Sequence, residues 1–197
     1  MKQQLRGDVM KEETISELPE VFRNCISTLK RTSRDDSKKQ TMCESTFKVI
    51  NFDKIPNQYS KNKGFRNVPK SNDALYIEDK KWCFIEFKNG EVDKANIYQK
   101  IYDSLIMLLE MEVIPDLNFA RQNIEYILVY NSDKYPKVQK SQGRDQNYSY
   151  FFQLAKQEEK LFGVEKFEGY LLKETHTYTK EMFQKQFVEV IEKEELK

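Results

Sequence analysis

Short apolar runs alternate with charged stretches along the whole chain, a pattern that predicts strands and helices separated by polar loops. Two such runs lie close together, at residues 71–77 and 82–90, and the polar residues 78–81 between them predict a turn. Both runs are rich in aromatic and branched side chains, as is typical of strands. The sequence therefore predicts two neighbouring strands near the middle of the chain.

The first third of the chain predicts one helix and one strand. Ser16 can cap a helix that runs to about Lys30, with its apolar side chains on one stripe. Residues 31–45 are polar and predict a loop, and the apolar positions within 47–52 predict a strand. The segment 57–70 has no periodicity, so we interpret it as a loop as well.

Helical and strand patterns also follow the central strand pair. Asp93 can cap a long amphipathic helix that ends near Glu112. Ile124–Tyr130 is a near-continuous apolar run, as expected for a strand covered on both faces. The last third predicts a basic loop at 134–144, a helix at 149–161, a short strand at 169–173 and a helix at 179–193. Strands framed by helices predict one α/β domain over residues 1–197, with a mixed central sheet flanked by helices.

Composition constrains the partners. The 33 basic and 32 acidic side chains give a net charge of +1, so any binding of nucleic acid must use local patches. The three cysteines have no metal-type spacing, and the single histidine cannot complete a zinc site with them. Residues 1–6 lack the apolar core of a signal peptide, and no run approaches the ~20 apolar residues that cross a bilayer. We therefore expect a cytoplasmic protein without a membrane partner.

The strand pair carries the candidate chemistry. Asp73 opens the first strand, and Glu86-Phe87-Lys88 closes the second. Because residues two apart in a strand point to the same side, Glu86 and Lys88 should share a face that Phe87 does not. Two carboxylates that converge at strand ends, with a lysine beside them, can hold a divalent metal and a water against a phosphodiester.

The context of this Glu-x-Lys triplet carries the signal, because the triplet itself is common in so charged a chain. Four such triplets occur, beginning at Glu78, Glu86, Glu158 and Glu195. Only the one at Glu86 follows an apolar strand, has an aspartate at the head of the preceding strand, and leads into a long amphipathic helix.

Asp73, the Glu86-Phe87-Lys88 triplet thirteen residues later and the helix that follows resemble the PD-(D/E)xK nuclease superfamily. The resemblance covers residues 44 to 131, and Asn72 stands where the family has a proline. It implies a restriction-endonuclease-like αβββαβ core and Mg²⁺-dependent hydrolysis of DNA phosphodiester bonds.

The resemblance also implies roles for individual residues. Asp73, Glu86 and the backbone carbonyl of Phe87 would be ligands of Mg²⁺, with Mn²⁺ as an alternative. Lys88 would orient the attacking water or offset charge that develops on the phosphate. Gln99, on the following helix, would be a further catalytic polar group.

The helix after the triplet offers other candidates. One branch of the family uses a Gln and a Tyr there, but Gln99 and Tyr102 are three residues apart where that branch has four. Lys100 is an alternative contact to phosphate, and a solvent-exposed helical face is the structural alternative. Many relatives bring a glutamate from the first helix, for which Glu17 and Glu20 are candidates.

DNA is the expected partner. The segment 57–70 places Lys61, Lys63 and Arg66 beside aromatic residues, and such segments can follow phosphates and stack on bases. The basic loop at 134–144 has the same character. Both segments are equally compatible with ordinary solvated loops. A homodimer or another protein partner is also compatible with the sequence.

A second function stays open from the sequence. Asp73 could be an ordinary strand-entry residue, and Glu86 and Lys88 could be a solvated pair on an edge strand. The chain would then be a non-catalytic binding protein of nuclease fold, such as an immunity or assembly partner. Its mark would be an Asp73 that points away from Glu86, or a Lys88 that pairs with a structural acid. An RNA-directed enzyme of the same fold is a weaker alternative.

Overall fold

A six-stranded mixed sheet with helices on both faces forms the centre of the molecule. The computed structural model describes residues 12–78, 81–135 and 160–194. In chain order the strands are β1 (Ile26–Thr28), β2 (Arg34–Asp35), β3 (Gln40–Thr41), β4 (Lys48–Asn51), β5 (Ala74–Glu78), β6 (Lys81–Lys88), β7 (Ile124–Tyr130) and β8 (Glu174–Thr179). The main sheet has the order β1-β4-β5-β6-β7-β8, and β2 pairs with β3 in a separate hairpin.

Eight α-helical segments surround the strands in the described part of the chain. They are α1 (Glu12–Glu17), α2 (Glu20–Arg23), α3 (Leu29–Thr32), α4 (Ile55–Lys63), α5 (Lys94–Glu110), α6 (Leu117–Asn123), α7 (Lys180–Phe183) and α8 (Glu189–Glu194). A π-helical segment, Gln184–Val188, joins α7 to α8. None of the described helices has the length and apolar character needed to cross a membrane.

The strand directions divide the sheet into two parts. The pairs β1–β4, β4–β5 and β5–β6 are antiparallel, whereas β7 runs parallel to β6 and β8 runs parallel to β7. Glu86 of β6 lies opposite Leu128 of β7 in this register. Three predicted strands, the two central ones and Ile124–Tyr130, are confirmed. The turn predicted at 78–81 lies partly outside the described residues.

Each face of the sheet has its own apolar core, because alternate residues of every strand point to opposite sides. On one face, α5 packs over β5, β6 and β7 through Ile97, Ile101, Leu105, Leu75, Phe84 and Tyr126. On the other face, the C-terminal helices pack through Phe183, Phe187, Tyr76, Ile85, Phe87 and Val129.

The helix α5 forms where its cap and apolar spacing predict it. Asp93 Oδ1 accepts hydrogen bonds from Ala95 N at 2.9 Å and Asn96 N at 3.3 Å, which satisfies two of the free N–H groups at the helix start. The cap and the apolar stripe fix which side of α5 faces the sheet.

The predicted N-terminal helix from Ser16 to Lys30 is wrong. The segment is divided into α1, α2, β1 and α3. Pro19 has an extended backbone (φ −51°, ψ 146°) and ends the first helix, since proline restricts the residue before it and lacks an N–H. Residues Ile26–Thr28 then pair with β4 at the edge of the sheet. Ile26, which the helical spacing placed on the apolar stripe, therefore lies in a strand.

The segment 57–70 begins as a helix, where the sequence predicts a loop. α4 extends over Ile55–Lys63, with Pro56 in its first turn, where a missing N–H is tolerated. Gly64 ends the helix in the left-handed conformation (φ +70°).

The last predicted strand lies further along the chain than expected. Residues 169–173 form turns, and β8 is Glu174–Thr179 instead. Thr175 and Thr177 are polar, so the pattern hides this strand, yet both side chains are buried in it. The predicted last helix is present, and Thr179 caps it. The predicted helix at 149–161 and the loop at 134–144 lie mostly outside the described residues.

Candidate functional site

Asp73 lies one residue before β5, and its side chain turns toward β6. Asp73 Oδ2 accepts a hydrogen bond from Phe87 N at 2.7 Å. Asn72, which stands at the position of the family's proline, is fully buried, and its backbone N–H and side-chain amide both donate to Ser104 Oγ of α5 at 3.1 Å. These bonds fix the backbone beside Asp73 against α5.

Glu86 and Lys88 lie on the α5 side of β6, and Phe87 between them packs into the opposite core, as the alternation predicts. Lys88 Nζ lies 2.8 Å from Glu86 Oε1. Glu86 is fully buried, whereas 23% of the Lys88 side chain is exposed. The pair therefore has one end in the core and one end at the surface.

Lys100 of α5 brings the two acids together. Its Nζ lies 2.7 and 2.9 Å from the two carboxylate oxygens of Glu86 and 3.2 Å from Asp73 Oδ1. Only 14% of the Lys100 side chain is exposed. Asp73 and Glu86 thus converge on a single cation instead of pointing apart.

Burial and charge oppose each other in this cluster. Burial, together with the negative charge of Asp73, raises the pKa of Glu86 to about 7, although Lys100 and Lys88 both favour its ionised form. Burial alone would lower the pKa of Lys100, but the carboxylates of Glu86 and Asp73 outweigh it and the pKa is raised. The cluster therefore favours the charged form of Lys100, whereas it disfavours the ionised form of Glu86.

Asp53 is a third acid near the cluster, and the sequence pattern did not single it out. It lies two residues after the end of β4, in the 3-10 turn Phe52–Lys54, and accepts a hydrogen bond from Ser71 Oγ at 3.0 Å. Desolvation and then the charge of Asp73 raise the pKa of Asp53, and Lys100 opposes that shift. Part of the residue is nevertheless exposed. The signal in the sequence was an acid just beyond the predicted strand at 47–52.

Tyr126 of β7 places a hydroxyl on the same side of the sheet. It is fully buried, and its Oη has no hydrogen-bond partner within the described ranges. Burial raises its pKa well above the ordinary value, and the charges of Glu86 and Asp73 add to that shift. The cluster therefore retains a buried hydroxyl that can still form a hydrogen bond.

An open cleft of about 260 Å³ borders the site. One wall contains Asp73, Phe87 and Lys88, and the other contains Arg34 and Asp35 of the β2–β3 hairpin. A ligand in this cleft would meet Lys88 and Asp73 directly.

Asn89 fastens the hairpin to the end of β6. Its Nδ2 donates to Asp35 Oδ2 at 3.2 Å, and Lys38 Nζ donates to its backbone carbonyl at 3.3 Å. Asn131, just after β7, donates to Asn89 Oδ1 at 2.9 Å. The hairpin wall is therefore positioned by the same strand ends that carry the charged cluster.

The other predicted site residues lie on exposed surfaces. Gln99 is exposed and donates to Asp103 Oδ2 at 3.4 Å, while its neighbour Lys100 is the residue that reaches the carboxylates. Lys61 and Arg66 are exposed, and Lys63 forms an ion pair with Glu110 at 2.7 Å. The candidate ligands Glu17 and Glu20 are also exposed, on α1 and α2.

The donor set of the cluster fits Mg²⁺. Within residues 12–78, 81–135 and 160–194, no three His, Cys, Asp or Glu side chains are grouped so as to hold a metal. However, Asp73 and Glu86 each place an oxygen within 3.2 Å of one nitrogen, so both can reach one cation. Mg²⁺ prefers carboxylate oxygens, needs only one or two of them, and keeps several waters.

Comparisons with known proteins identify no relative. No protein-family model matches the chain, no curated protein matches its sequence, and no solved structure matches its fold.

Proposed function

We propose that this chain is a Mg²⁺-dependent nuclease that hydrolyses DNA phosphodiester bonds, with Mn²⁺ as a substitute metal. The observation that carries the proposal is the convergence of Asp73 and Glu86 on one cation, with Lys88 bonded to Glu86 at the wall of an open cleft. This arrangement agrees with the sequence resemblance to PD-(D/E)xK nucleases.

The element order supports a restriction-endonuclease-like core over residues 44–131. β4, β5 and β6 are successive antiparallel strands, α5 follows them, and β7 returns parallel to β6. An αβββαβ core requires this order and these directions.

The chain's own groups suit the reaction. Asp73, Glu86 and the Phe87 carbonyl would hold the metal, which would polarise the phosphate and lower the pKa of a water. Lys88 has three donors and uses one on Glu86, so it retains donors for the attacking water or a phosphate oxygen. Its partial exposure places it where the buried cluster meets the cleft.

The DNA backbone would enter the cleft between β6 and the β2–β3 hairpin. Arg34 on the facing wall is 55% exposed and pairs with the exposed Asp36 through Nε at 3.1 Å, and a phosphate in the cleft would compete with Asp36 for its guanidinium. Lys61, Lys63 and Arg66 would extend the contact outside the cleft, and Lys100 would contribute a contact from α5. Gln99 would be a further catalytic polar group on that helix. A homodimer would present two such sites to a duplex.

Plasmid cleavage tests the proposal directly. Supercoiled DNA is incubated with wild type and with Asp73→Asn, in Mg²⁺ and in EDTA. The asparagine variant can still accept the Phe87 N–H bond, so it removes charge with little change in shape. We expect wild type to cleave only with Mg²⁺ and the variant to be inactive. Equal cleavage by both proteins would refute the site. Lys94→Met, a change at an exposed position of α5, is the control.

One observation favours a second candidate function, that of a non-catalytic binding protein of the same fold. Lys100 already supplies a cation to Asp73 and Glu86, so the carboxylates have a partner without a metal. Binding of DNA or of a protein partner without metal affinity and without cleavage would support this alternative.

A further inference from the structure

The Lys100 ammonium lies between the two carboxylates that the proposed metal needs. Its Nζ is within 3.2 Å of Asp73 and within 2.9 Å of both oxygens of Glu86. Mg²⁺ lies ~2.1 Å from its oxygen ligands, so the ammonium and the metal cannot share this space. The site holds one or the other.

We propose that Lys100 is an internal cation that competes with a divalent metal for Asp73 and Glu86, and so sets the metal affinity of the site. This inference rests on the proposed function in that it assigns the metal to these two carboxylates. Lys100 is thereby given a role beyond contact with phosphate.

The charges of the cluster explain why the competition arises. Asp73 and Glu86 carry two negative charges, and Lys88 and Lys100 carry two positive charges, so the four groups sum to zero. A divalent cation added to this balanced set would leave an excess of positive charge in a buried place, which is unfavourable. Lys100 must therefore leave the carboxylates before the metal is bound well.

Lys100 has a route away from the carboxylates. A lysine ammonium stands on a flexible four-carbon stem, so it can move without a change in its helix. The charge of Asp53 also acts on Lys100, and Asp53 is partly exposed. Asp53 therefore offers a nearby negative charge to the displaced ammonium. Lys88 is not the competing cation, because its described contacts to the two carboxylates are limited to one oxygen of Glu86.

The test is a titration of Mn²⁺ into the full chain. Binding is measured by calorimetry or from the electron paramagnetic resonance signal of free Mn²⁺. We compare wild type, Lys100→Met, Lys100→Arg and the control Lys94→Met. Removal of the competing cation should tighten Mn²⁺ binding by about tenfold or more in K100M. K100R and K94M should bind as wild type does. Equal or weaker binding by K100M, or none, overturns the proposal.

A second readout protects the test against a variant that folds poorly. Without metal, K100M leaves Asp73 and Glu86 with less positive charge, so its melting temperature should fall below that of wild type. Millimolar Mn²⁺ should raise the melting temperature of K100M by more than it raises that of wild type. An equal rise in both proteins contradicts the competition.

Plasmid cleavage by the same samples separates this inference from the proposed function. Tighter Mn²⁺ binding by K100M without cleavage by wild type would support the competition and refute the nuclease. Cleavage by wild type with unchanged Mn²⁺ affinity in K100M would support the nuclease and refute the competition.

Discussion

The two faces of β6 differ sharply at its C-terminal end. On the α5 side, Glu86 and Lys88 meet Lys100 and Asp73 in a cluster of charges. On the other side, Phe87 packs edge-on against Phe183 at 5.6 Å in an apolar core. Neighbouring residues of a single strand thus enter opposite chemical environments.

The two faces of β6 have different roles. The apolar face stabilises the fold in the ordinary way, by removing apolar surface from water. The charged face buries an acid whose ionised form is disfavoured there, and apolar residues of similar size are often at least as stable in such a place. A sequence that retains those charges is explained by function more readily than by stability.

The largest expected effect tests the charged face through activity. Lys88→Met removes the ammonium at the cleft and should reduce plasmid cleavage by about three orders of magnitude, a loss of several kcal/mol of transition-state stabilisation. Its free energy of unfolding should fall less than that of Lys100→Met, because Lys88 is more exposed than Lys100 and contacts only one oxygen of Glu86. A variant that cleaves normally would show that Lys88 has only a structural role.

The apolar face should respond in stability instead. Phe183 is 1% exposed and contacts the rings of Phe87 and Phe187. Phe183→Ala should reduce the free energy of unfolding by ~3–5 kcal/mol, measured by urea denaturation. Its affinity for Mn²⁺, measured on folded protein, should stay that of wild type. A loss of metal binding in folded protein would mean that the two faces are not independent.

Stability as a function of pH sharpens the comparison further. Burial raises the pKa of Glu86 to about 7, from 4.5 when it is solvated. The folded protein therefore retains a proton that the unfolded chain releases, so this contribution to stability is present below about pH 4.5 and is lost as pH rises to about 7. In Glu86→Gln nothing titrates at this position.

We expect the free energy of unfolding of Glu86→Gln, relative to wild type, to increase by up to about 3 kcal/mol over that pH interval. Urea denaturation in EDTA at several pH values measures it. A difference that stays constant with pH, or that falls, would contradict the burial of an ionisable acid on this face.

The smallest expected effect concerns the exposed bases outside both faces. Charge removal at Lys61 and Arg66 should weaken DNA binding equally for all sequences. The slope of affinity against salt should also fall by about one for each phosphate that the protein no longer neutralises. Lys94→Met is the matched exposed control. An unchanged slope would remove residues 61–66 from the DNA interface.

Local rules made the centre of the site predictable. Alternation along a strand places Glu86 and Lys88 together and Phe87 apart, and the antiparallel pairing of β5 with β6 brings Asp73 to the same end. A capping aspartate and an apolar stripe located α5. Each of these features depends on residues that are close in the sequence.

Features that depend on distant segments were not predicted. Lys100 lies between the buried Ile97 and Ser104 on α5, so the sequence pattern could place it on the inner side of the helix. Its partners, however, depend on how α5 packs on β6. Asp53 reaches the site through the pairing of β4 with β5, and the β2–β3 hairpin reaches it through the hydrogen bond from Asn89 to Asp35. The N-terminal helix was wrong because pairing with β4 prevailed over helical spacing.

A calorimetric titration of Mg²⁺ and Mn²⁺ into wild type and Asp73→Asn is the most direct test of a metal site on the charged face of β6. If the charged face of β6 is a metal site, wild type should bind one cation and the variant should lose that binding while its melting temperature stays close to that of wild type. Binding of the metal with equal affinity by both proteins would show that Asp73 and Glu86 do not form the site, and the charged face would then be structural.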